Sequence, residues 1–152
     1  MEISHLNLLS NEESACNSLA DLNLIVNLLT THIARILFAF PFLAFGILHL
    51  FRAADMSAMV EGKMPGDGKI WIYLTGIVMV ISALTIITKK FDYWGSLALA
   101  FVLLLYVAVL HAPEAAGDSA MSAISMSNAL KDLGLAGGAL IYAGTARPGL
   151  TK

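Results

Sequence analysis

Two long runs of apolar residues occupy the middle of the chain. The first run, Ile70–Thr88, and the second, Tyr93–Leu110, contain no charged side chain and no histidine. Each is close to the roughly 20 residues that a helix needs to cross a hydrocarbon core about 30 Å thick. Only the sequence KKFD separates the two runs. This pattern predicts an antiparallel pair of membrane-spanning helices.

Two further spans are predicted, one on each side of this pair. One covers about 33–53, and its stretch Ile33–Phe51 is apolar except for Arg35 and His49. The other covers about 126–145, and its only charges are those of the adjacent residues Lys131 and Asp132. The sequence therefore predicts an all-α fold, a bundle of four transmembrane helices, with spans near 33–53, 70–88, 93–111 and 126–145. Gly134 and Gly138 in the last span form a small-xxx-small pair, which favours close helix packing in lipid.

The first 31 residues have a different pattern. Between Leu19 and Thr31, apolar residues at 22, 25, 26 and 29 alternate with Asp and Asn, which is typical of an amphipathic helix at a membrane interface. The alternative is a disordered leader. The predicted organisation is thus a leader over 1–31, a four-helix membrane domain over 32–147 and a tail over 148–152.

Composition supports a lipid environment. Hydrophobic residues make up 58% of the chain and charged residues 13%, against roughly 45–50% and about 25% in soluble domains. Mean hydropathy is +0.77. The net charge of −2, without a basic stripe or reader motif, argues against nucleic acid as a partner. The single cysteine, Cys16, cannot form an internal disulfide or a CxxC redox pair.

The distribution of basic residues predicts an orientation. The short loop with Lys89 and Lys90 lies on the same side as both termini, where Arg147 and Lys152 also lie. Because cytoplasmic loops carry an excess of lysine and arginine, we expect a multi-pass protein of the inner membrane with both termini in the cytoplasm.

This topology collects polar side chains at the outer end of the helices. Six polar or amphipathic side chains from all four predicted helices fall at one depth: His49, Trp71, Tyr73, His111, Lys131 and Asp132. At the inner end Arg35 is expected to stand nearly alone. The simpler alternative makes the two aromatic residues part of an interfacial belt and the two histidines single interfacial hydrogen-bonding groups.

Asp132 is the least easily explained member of this group, since a carboxylate inside a span is costly and normally faces a partner or water. Adjacent helical residues point about 100° apart. We therefore expect Asp132 to face the bundle while Lys131 extends to the interface. His49 is expected to turn inward and contact His111 and Asp132.

The order of several short motifs resembles the DoxX family of small four-helix membrane proteins. The motifs are ARILFAFPFLAFGILHLF, MPGDGKIWIYLTGI, KK, HAP and ALKDLGLAGGAL, and together they cover roughly 33–146. The resemblance implies a redox setting linked to quinones. In one respect the chain departs from the family: many relatives carry a glutamate in the second span, where this chain reads VMVISAL, and Asp132 could partly replace that carboxylate.

Two functions follow as expectations. The first is a redox-associated, quinone-linked membrane subunit in which a histidine of the cluster His49, His111 and Asp132 donates to a quinone oxygen, while Asp132 orients that histidine or relays its proton. The sequence contains no flavin or dinucleotide motif and no CxxCH motif, so a membrane or soluble redox partner would supply the electron chemistry. The alternative is a non-enzymatic module that binds a lipid or small hydrophobic molecule or aids assembly of another membrane protein.

A haem or metal protein is a third, weaker hypothesis, because the histidine spacing matches no short metal signature. Quinone is accordingly the only candidate cofactor and no metal is predicted. A homo-oligomer is a further candidate partner, because four helices alone enclose only a small pore.

Overall fold

The structure is a computed structural model that describes residues 16–117 and 120–149. Within these ranges the chain is almost entirely helical and contains no β-strand, which confirms the predicted all-α class. Residues 1–15, which form the first half of the predicted leader, and 150–152 of the predicted tail lie outside the described part. Residues 16–31 of the leader are helical.

Four long helices and one short helix make up the described chain. Helix α1 covers Cys16–Phe51 and includes a π-helical stretch, Leu28–Ile33. The short helix α2 covers Ala53–Ser57, and α3 covers Gly68–Thr88. Helix α4 covers Asp92–Ala115, with a π-helical stretch at Val107–His111, and α5 covers Ser122–Thr145.

The ends of α3 and α4 follow from local chemistry. The Asp67 side chain caps α3 by accepting a hydrogen bond from the Lys69 amide at 2.8 Å, which satisfies one of the free N–H groups of the first turn. Lys89 ends the same helix in the left-handed conformation, and Phe91 adopts it just before α4, both with φ of 59°. These two residues reverse the chain between α3 and α4, as the KKFD link predicted.

Three of the helices are long and apolar enough to cross a membrane: α1, α3 and α4. They contain the predicted spans near 33–53, 70–88 and 93–111, apart from the last two residues of the first. Helix α5 contains the predicted span 126–145 and begins four residues before it, but it is less apolar and is not among these three. The described structure therefore supports a helical membrane protein with three candidate spans.

Chain contacts divide the protein into two units, Met1–Leu37 and Phe38–Lys152. The second unit contains the main core, to which all four long helices contribute. Its fully buried members are small or aliphatic residues and one phenylalanine: Ala39, Phe42, Met79, Ala83, Ile86, Leu99, Ala100, Leu103, Ala136 and Ala139. Five alanines among these ten residues let the helix backbones approach closely, as is usual for helices that pack in lipid.

The closest approach described between α1 and α3 is made by two glycines. A Cβ atom added to Gly46 would lie 2.9 Å from the Gly76 carbonyl oxygen, and one added to Gly76 would lie 2.8 Å from the His49 Cβ atom. Real Cβ atoms essentially never come this close to other heavy atoms. The crossing therefore requires glycine at both positions, and it holds the His49 backbone directly against α3.

Gly138 packs where the sequence predicted, although Gly134 does not. A Cβ atom on Gly138 would lie 3.3 Å from Cε2 of Phe38, whereas nothing lies within 4 Å of one on Gly134. The small-xxx-small pair thus contributes one contact within the second unit instead of two.

We expect Gly138→Leu to lower the melting temperature in detergent, because the added side chain must displace the Phe38 ring. Overpacking of this kind costs about 1–3 kcal/mol. Gly134→Leu is the matched control, since it gains the same helix propensity but meets no neighbour. Equal melting temperatures for the two variants would contradict the packing described for Gly138.

Candidate functional site

His49 is the buried histidine of the predicted polar cluster, with 5% of its surface exposed. It lies near the end of α1, inside the second unit. Its Nδ1 atom is 2.8 Å from the Phe45 carbonyl oxygen, and its Nε2 atom is 3.1 Å from the Tyr106 hydroxyl. The imidazole and phenol rings are nearly parallel, at 15° with 6.3 Å between their centroids. The predicted inward orientation of His49 is confirmed.

Tyr106 extends this contact to a third helix. Its hydroxyl is 2.8 Å from Thr75 Oγ1 on α3. The Thr75 hydroxyl in turn can donate to the Trp71 carbonyl oxygen at 2.9 Å or to that of Ile72 at 3.2 Å. A continuous series of hydrogen bonds, here called the His49 chain, therefore runs from Phe45 through His49, Tyr106 and Thr75 to the α3 backbone.

His111 and Asp132 form a second, adjacent pair. His111 Nε2 lies 3.3 Å from Asp132 Oδ2, and Lys131 Nζ lies 3.7 Å from Asp132 Oδ1. Asp132 is 6% exposed, whereas the Lys131 side chain is 56% exposed. Lys131 Nζ also donates a hydrogen bond to the Asn128 amide oxygen at 3.4 Å. The expected arrangement, with Asp132 inward and Lys131 extending outward, is confirmed.

The two groups of side chains are neighbours, but the predicted direct contact between them is wrong. His49 contacts Phe45 and Tyr106, and no described hydrogen bond or ion pair joins it to His111 or Asp132. Instead, the Asp132 carboxylate lies close enough to the Tyr106 hydroxyl for a Coulombic interaction. Tyr106, five residues before His111 on α4, is the partner that His49 contacts instead.

The two predicted aromatic members behave differently. Trp71 is partly buried and donates its Nε1 proton to the Pro65 carbonyl oxygen at 2.8 Å, which ties the loop before α3 to the helix. Tyr73 is 47% exposed and has no described hydrogen bond to the cluster. Tyr73 lies two residues from Trp71 and from Thr75, about 200° around the helix from each, so its place in a ligand site stays a prediction.

Tyr106 and Thr75 are the members that the sequence reading missed. Each is a hydroxyl side chain inside an otherwise apolar span, and each lies within five residues of a predicted member: Tyr106 before His111, and Thr75 after Trp71. A threonine hydroxyl in a span can bond to the preceding turn, and a tyrosine near the end of a span is commonly part of an aromatic belt, so neither residue stood out as the charged residues did.

An apolar groove adjoins the His49 chain. It lies between α3 and α4 and has a volume of about 230 Å³. Its lining consists of apolar side chains together with one hydroxyl-bearing residue, Thr75: Trp71, Leu74, Thr75, Val78, Ala98, Phe101, Val102 and Leu105. Since Leu74 and Phe101 are largely exposed on the helix surface, the groove opens toward the surroundings of the two candidate spans.

The opposite end of the helices carries a smaller polar contact. Asp92 begins α4, where its Oδ2 atom accepts a hydrogen bond from the Tyr142 hydroxyl at 3.1 Å and its Oδ1 atom accepts one from the Tyr93 amide at 3.0 Å. The sequence reading placed no polar contact at this end, and its expectation that Arg35 stands nearly alone at the inner end stays a prediction. Asp92 was read only as part of the KKFD link, although it also acts as a helix-terminal acceptor.

Metal ligands do not converge in the part of the chain that the structure describes. No group of three or more His, Cys, Asp and Glu side chains lies close enough together there to hold a metal ion. His111 and Asp132 form a pair without a third such ligand, while His49 is engaged by Tyr106.

The fold and the site together define a class: an all-helical protein with three candidate membrane spans and a buried polar cluster near one end of its helices. The comparisons with known proteins add no relative to this description, because no protein-family model, curated protein or solved structure matches the chain. The DoxX resemblance accordingly stays a prediction.

Proposed function

We propose that the protein is a DoxX-like membrane subunit that binds a lipophilic quinone in the groove between α3 and α4 and acts with a redox partner. One observation carries the proposal: Thr75 both lines the groove and ends the His49 chain. A ring bound in this apolar groove would lie against the Thr75 side chain, whose buried hydroxyl joins a series of groups that can pass a proton.

The chemistry of quinones fits both the apolar groove and the His49 chain. A quinone is an apolar ring on an isoprenoid tail, which suits an apolar groove that opens toward lipid. Oxidation of a quinol releases two electrons and two protons. The His49 chain would accept one of these protons and water at the membrane surface the other, while both electrons would pass to the partner, since the sequence has no flavin, dinucleotide or CxxCH motif. The Asp132 carboxylate, held by His111, would place a negative charge near the His49 chain.

A fourth membrane span at α5 belongs to this proposal. The α5 face that points away from the core carries large exposed apolar side chains: Ile124, Leu130, Leu133, Leu140 and Ile141. The charged side chain that faces inward, Asp132, has partners, and Lys131 is long enough to reach the headgroups. Such a helix crosses lipid despite its modest mean hydropathy, because its polar atoms are not presented to the hydrocarbon.

We expect the membrane to be the inner membrane, with both termini in the cytoplasm, because Lys89 and Lys90 are adjacent in the shortest loop. Single cysteines at Glu61 and Gly117, in a Cys16→Ser background, should react with an impermeant maleimide added to intact cells. A cysteine at Lys90 should react only after permeabilisation. The reverse labelling pattern would reverse the orientation.

Quinone binding can be measured through Trp71, which lines the groove. The chain has two tryptophans, so Trp94→Phe leaves Trp71 as the only indole. We expect short-chain ubiquinone and menaquinone analogues to quench the fluorescence of this variant in nanodiscs with a saturable dependence on concentration. Ala98→Leu should abolish the saturable part, because the added methyl groups fill a groove of about 230 Å³.

The matched control is Ala123→Leu, the same substitution at an exposed position of α5, which should retain saturable quenching. The three proteins compared are the Trp94→Phe variant alone and the same variant with Ala98→Leu or with Ala123→Leu. If quenching rises linearly with quinone concentration and equally in all three, it reflects collisions in the lipid and contradicts quinone binding in the groove.

A second candidate is the non-enzymatic module. It is favoured by the burial of Thr75, of which 4% is exposed, because a deeply buried hydroxyl leaves an almost wholly apolar surface for an acyl chain. In that case phospholipid in place of quinone would occupy the groove, and Ala98→Leu would release phospholipid without changing any quinone response.

A further inference from the structure

The His49 chain has one nitrogen whose proton is fixed. The Phe45 carbonyl oxygen can only accept a hydrogen bond, and it lies 2.8 Å from His49 Nδ1. Nδ1 must therefore carry a proton in every state in which this contact is kept. The only ring atom that can gain or lose a proton is Nε2, which faces the Tyr106 hydroxyl.

In the neutral ring, Nε2 is an acceptor and the hydrogen bonds point toward it. The Tyr106 O–H group donates to Nε2 over 3.1 Å. The Thr75 hydroxyl can then donate to the Tyr106 oxygen over 2.8 Å, or keep its bond to the α3 backbone. Each donor in this arrangement has an acceptor, so the neutral state is fully satisfied.

In the protonated ring, the two hydrogen bonds that Tyr106 makes, with His49 and with Thr75, reverse their direction. Nε2–H donates to the Tyr106 oxygen, the Tyr106 O–H group donates to Thr75 Oγ1, and the Thr75 O–H group donates to the Trp71 carbonyl oxygen at 2.9 Å. All of the acceptors are already in place. Proton uptake therefore requires only two hydroxyl groups to turn, and no heavy atom has to move.

We propose that His49 is a proton-binding site whose charge state is transmitted to Thr75, at the wall of the groove, by reversal of the hydrogen bonds through Tyr106. One proton from the solvent adds to Nε2, and no covalent bond between heavy atoms changes. The proposal does not depend on quinone binding, because both states are properties of the protein alone.

The surroundings supply a countercharge for the imidazolium. From α4, His49 faces Tyr106, and from α3 it faces the Gly76 and Thr75 region. On α5, Asp132 acts electrostatically on Tyr106 and is paired with His111 and Lys131. A charge inside a span is costly unless it is paired, and Asp132 is the buried carboxylate among the described residues that could supply the countercharge.

The test is nitrogen and carbon NMR of the full protein in lipid nanodiscs, with labelled histidine and tyrosine rings. As the pH is lowered from about 9 to about 5, the Nδ1 signal of His49 should stay in the protonated range while Nε2 moves from the unprotonated to the protonated range. The Cζ signal of Tyr106 should shift with the same midpoint. His49→Gln should remove both changes while leaving the His111 signals in place.

Two substitutions at Thr75 test whether the Tyr106 shift arises from reversal of the hydrogen bonds or only from the nearby charge on His49. Thr75→Ser keeps the hydroxyl and should keep the Tyr106 shift, whereas Thr75→Val removes the acceptor for the Tyr106 proton and should reduce that shift by at least half. A neutral His49 with its proton on Nε2 would overturn the proposal. So would an Nε2 that never takes up a proton in this range, or a Tyr106 signal that ignores the protonation.

Discussion

Gly76→Leu is expected to lower the free energy of unfolding by about 3 kcal/mol or more, since overpacking usually costs 1–3 kcal/mol and here the obstacle is backbone. The first added carbon would lie 2.8 Å from the His49 Cβ atom and 3.1 Å from the Gly46 carbonyl oxygen. Neither atom is the flexible end of a side chain, so α1 and α3 must separate. Unfolding in detergent, followed by helical signal, measures the change.

Gly144→Leu is the control for this prediction. It introduces the same side chain into a helix and gains the same propensity, but nothing lies within 4 Å of its Cβ position. We expect this variant to be at least as stable as the parent. If Gly76→Leu unfolds at the same denaturant concentration as Gly144→Leu, the close crossing of α1 and α3 is absent from the protein.

The second large effect is expected at Asp132. Removing one member of a buried ion pair usually costs 3–5 kcal/mol. Asp132→Leu should cost somewhat less, about 2–3 kcal/mol, because its other partner, Lys131, is already largely exposed and does not become a buried, unpaired charge. The free energy of unfolding in detergent, compared with that of the parent, gives the value.

A double-mutant cycle shows whether the pair is the cause. Asp132→Leu combined with His111→Leu replaces both partners by apolar side chains, which is often close to neutral for a buried pair. The double variant should therefore be more stable than Asp132→Leu alone. Strictly additive losses from the two single substitutions would mean that the 3.3 Å contact does not couple these residues.

The pattern of apolar residues predicted most of the helices, because a membrane span needs a continuous apolar run that can be read directly from the sequence. Ile70–Thr88 and Tyr93–Leu110 are uncharged over a membrane's thickness, and α3 and α4 contain them. The inward position of Asp132 also followed from sequence, because a carboxylate in a span has few affordable environments. Helix α5 starts at Ser122, four residues before the predicted boundary. The apolar pattern does not define where a helix begins when its first turn is polar.

The contacts inside the site could not be predicted in the same way. Whether His49 contacts Asp132 or Tyr106 depends on how α1, α4 and α5 are rotated about their axes and on how far apart they lie. The Gly46–Gly76 crossing fixes only the distance of His49 from α3. A small rotation of α4 would exchange Tyr106 for another residue. Apolar periodicity defines a broad face of a helix, about 100° or more, and this tolerance is too wide to choose between neighbouring partners.

The most direct test of the central claim is the lipid content of the protein extracted from its native membrane in a mild detergent, measured by mass spectrometry. We predict about one quinone per chain in the parent and in Ala123→Leu, and strong depletion in Ala98→Leu, whose added methyl groups fill the groove between α3 and α4. A parent that carries phospholipid but no quinone, or an Ala98→Leu variant that retains quinone in full, would contradict a quinone site in this groove.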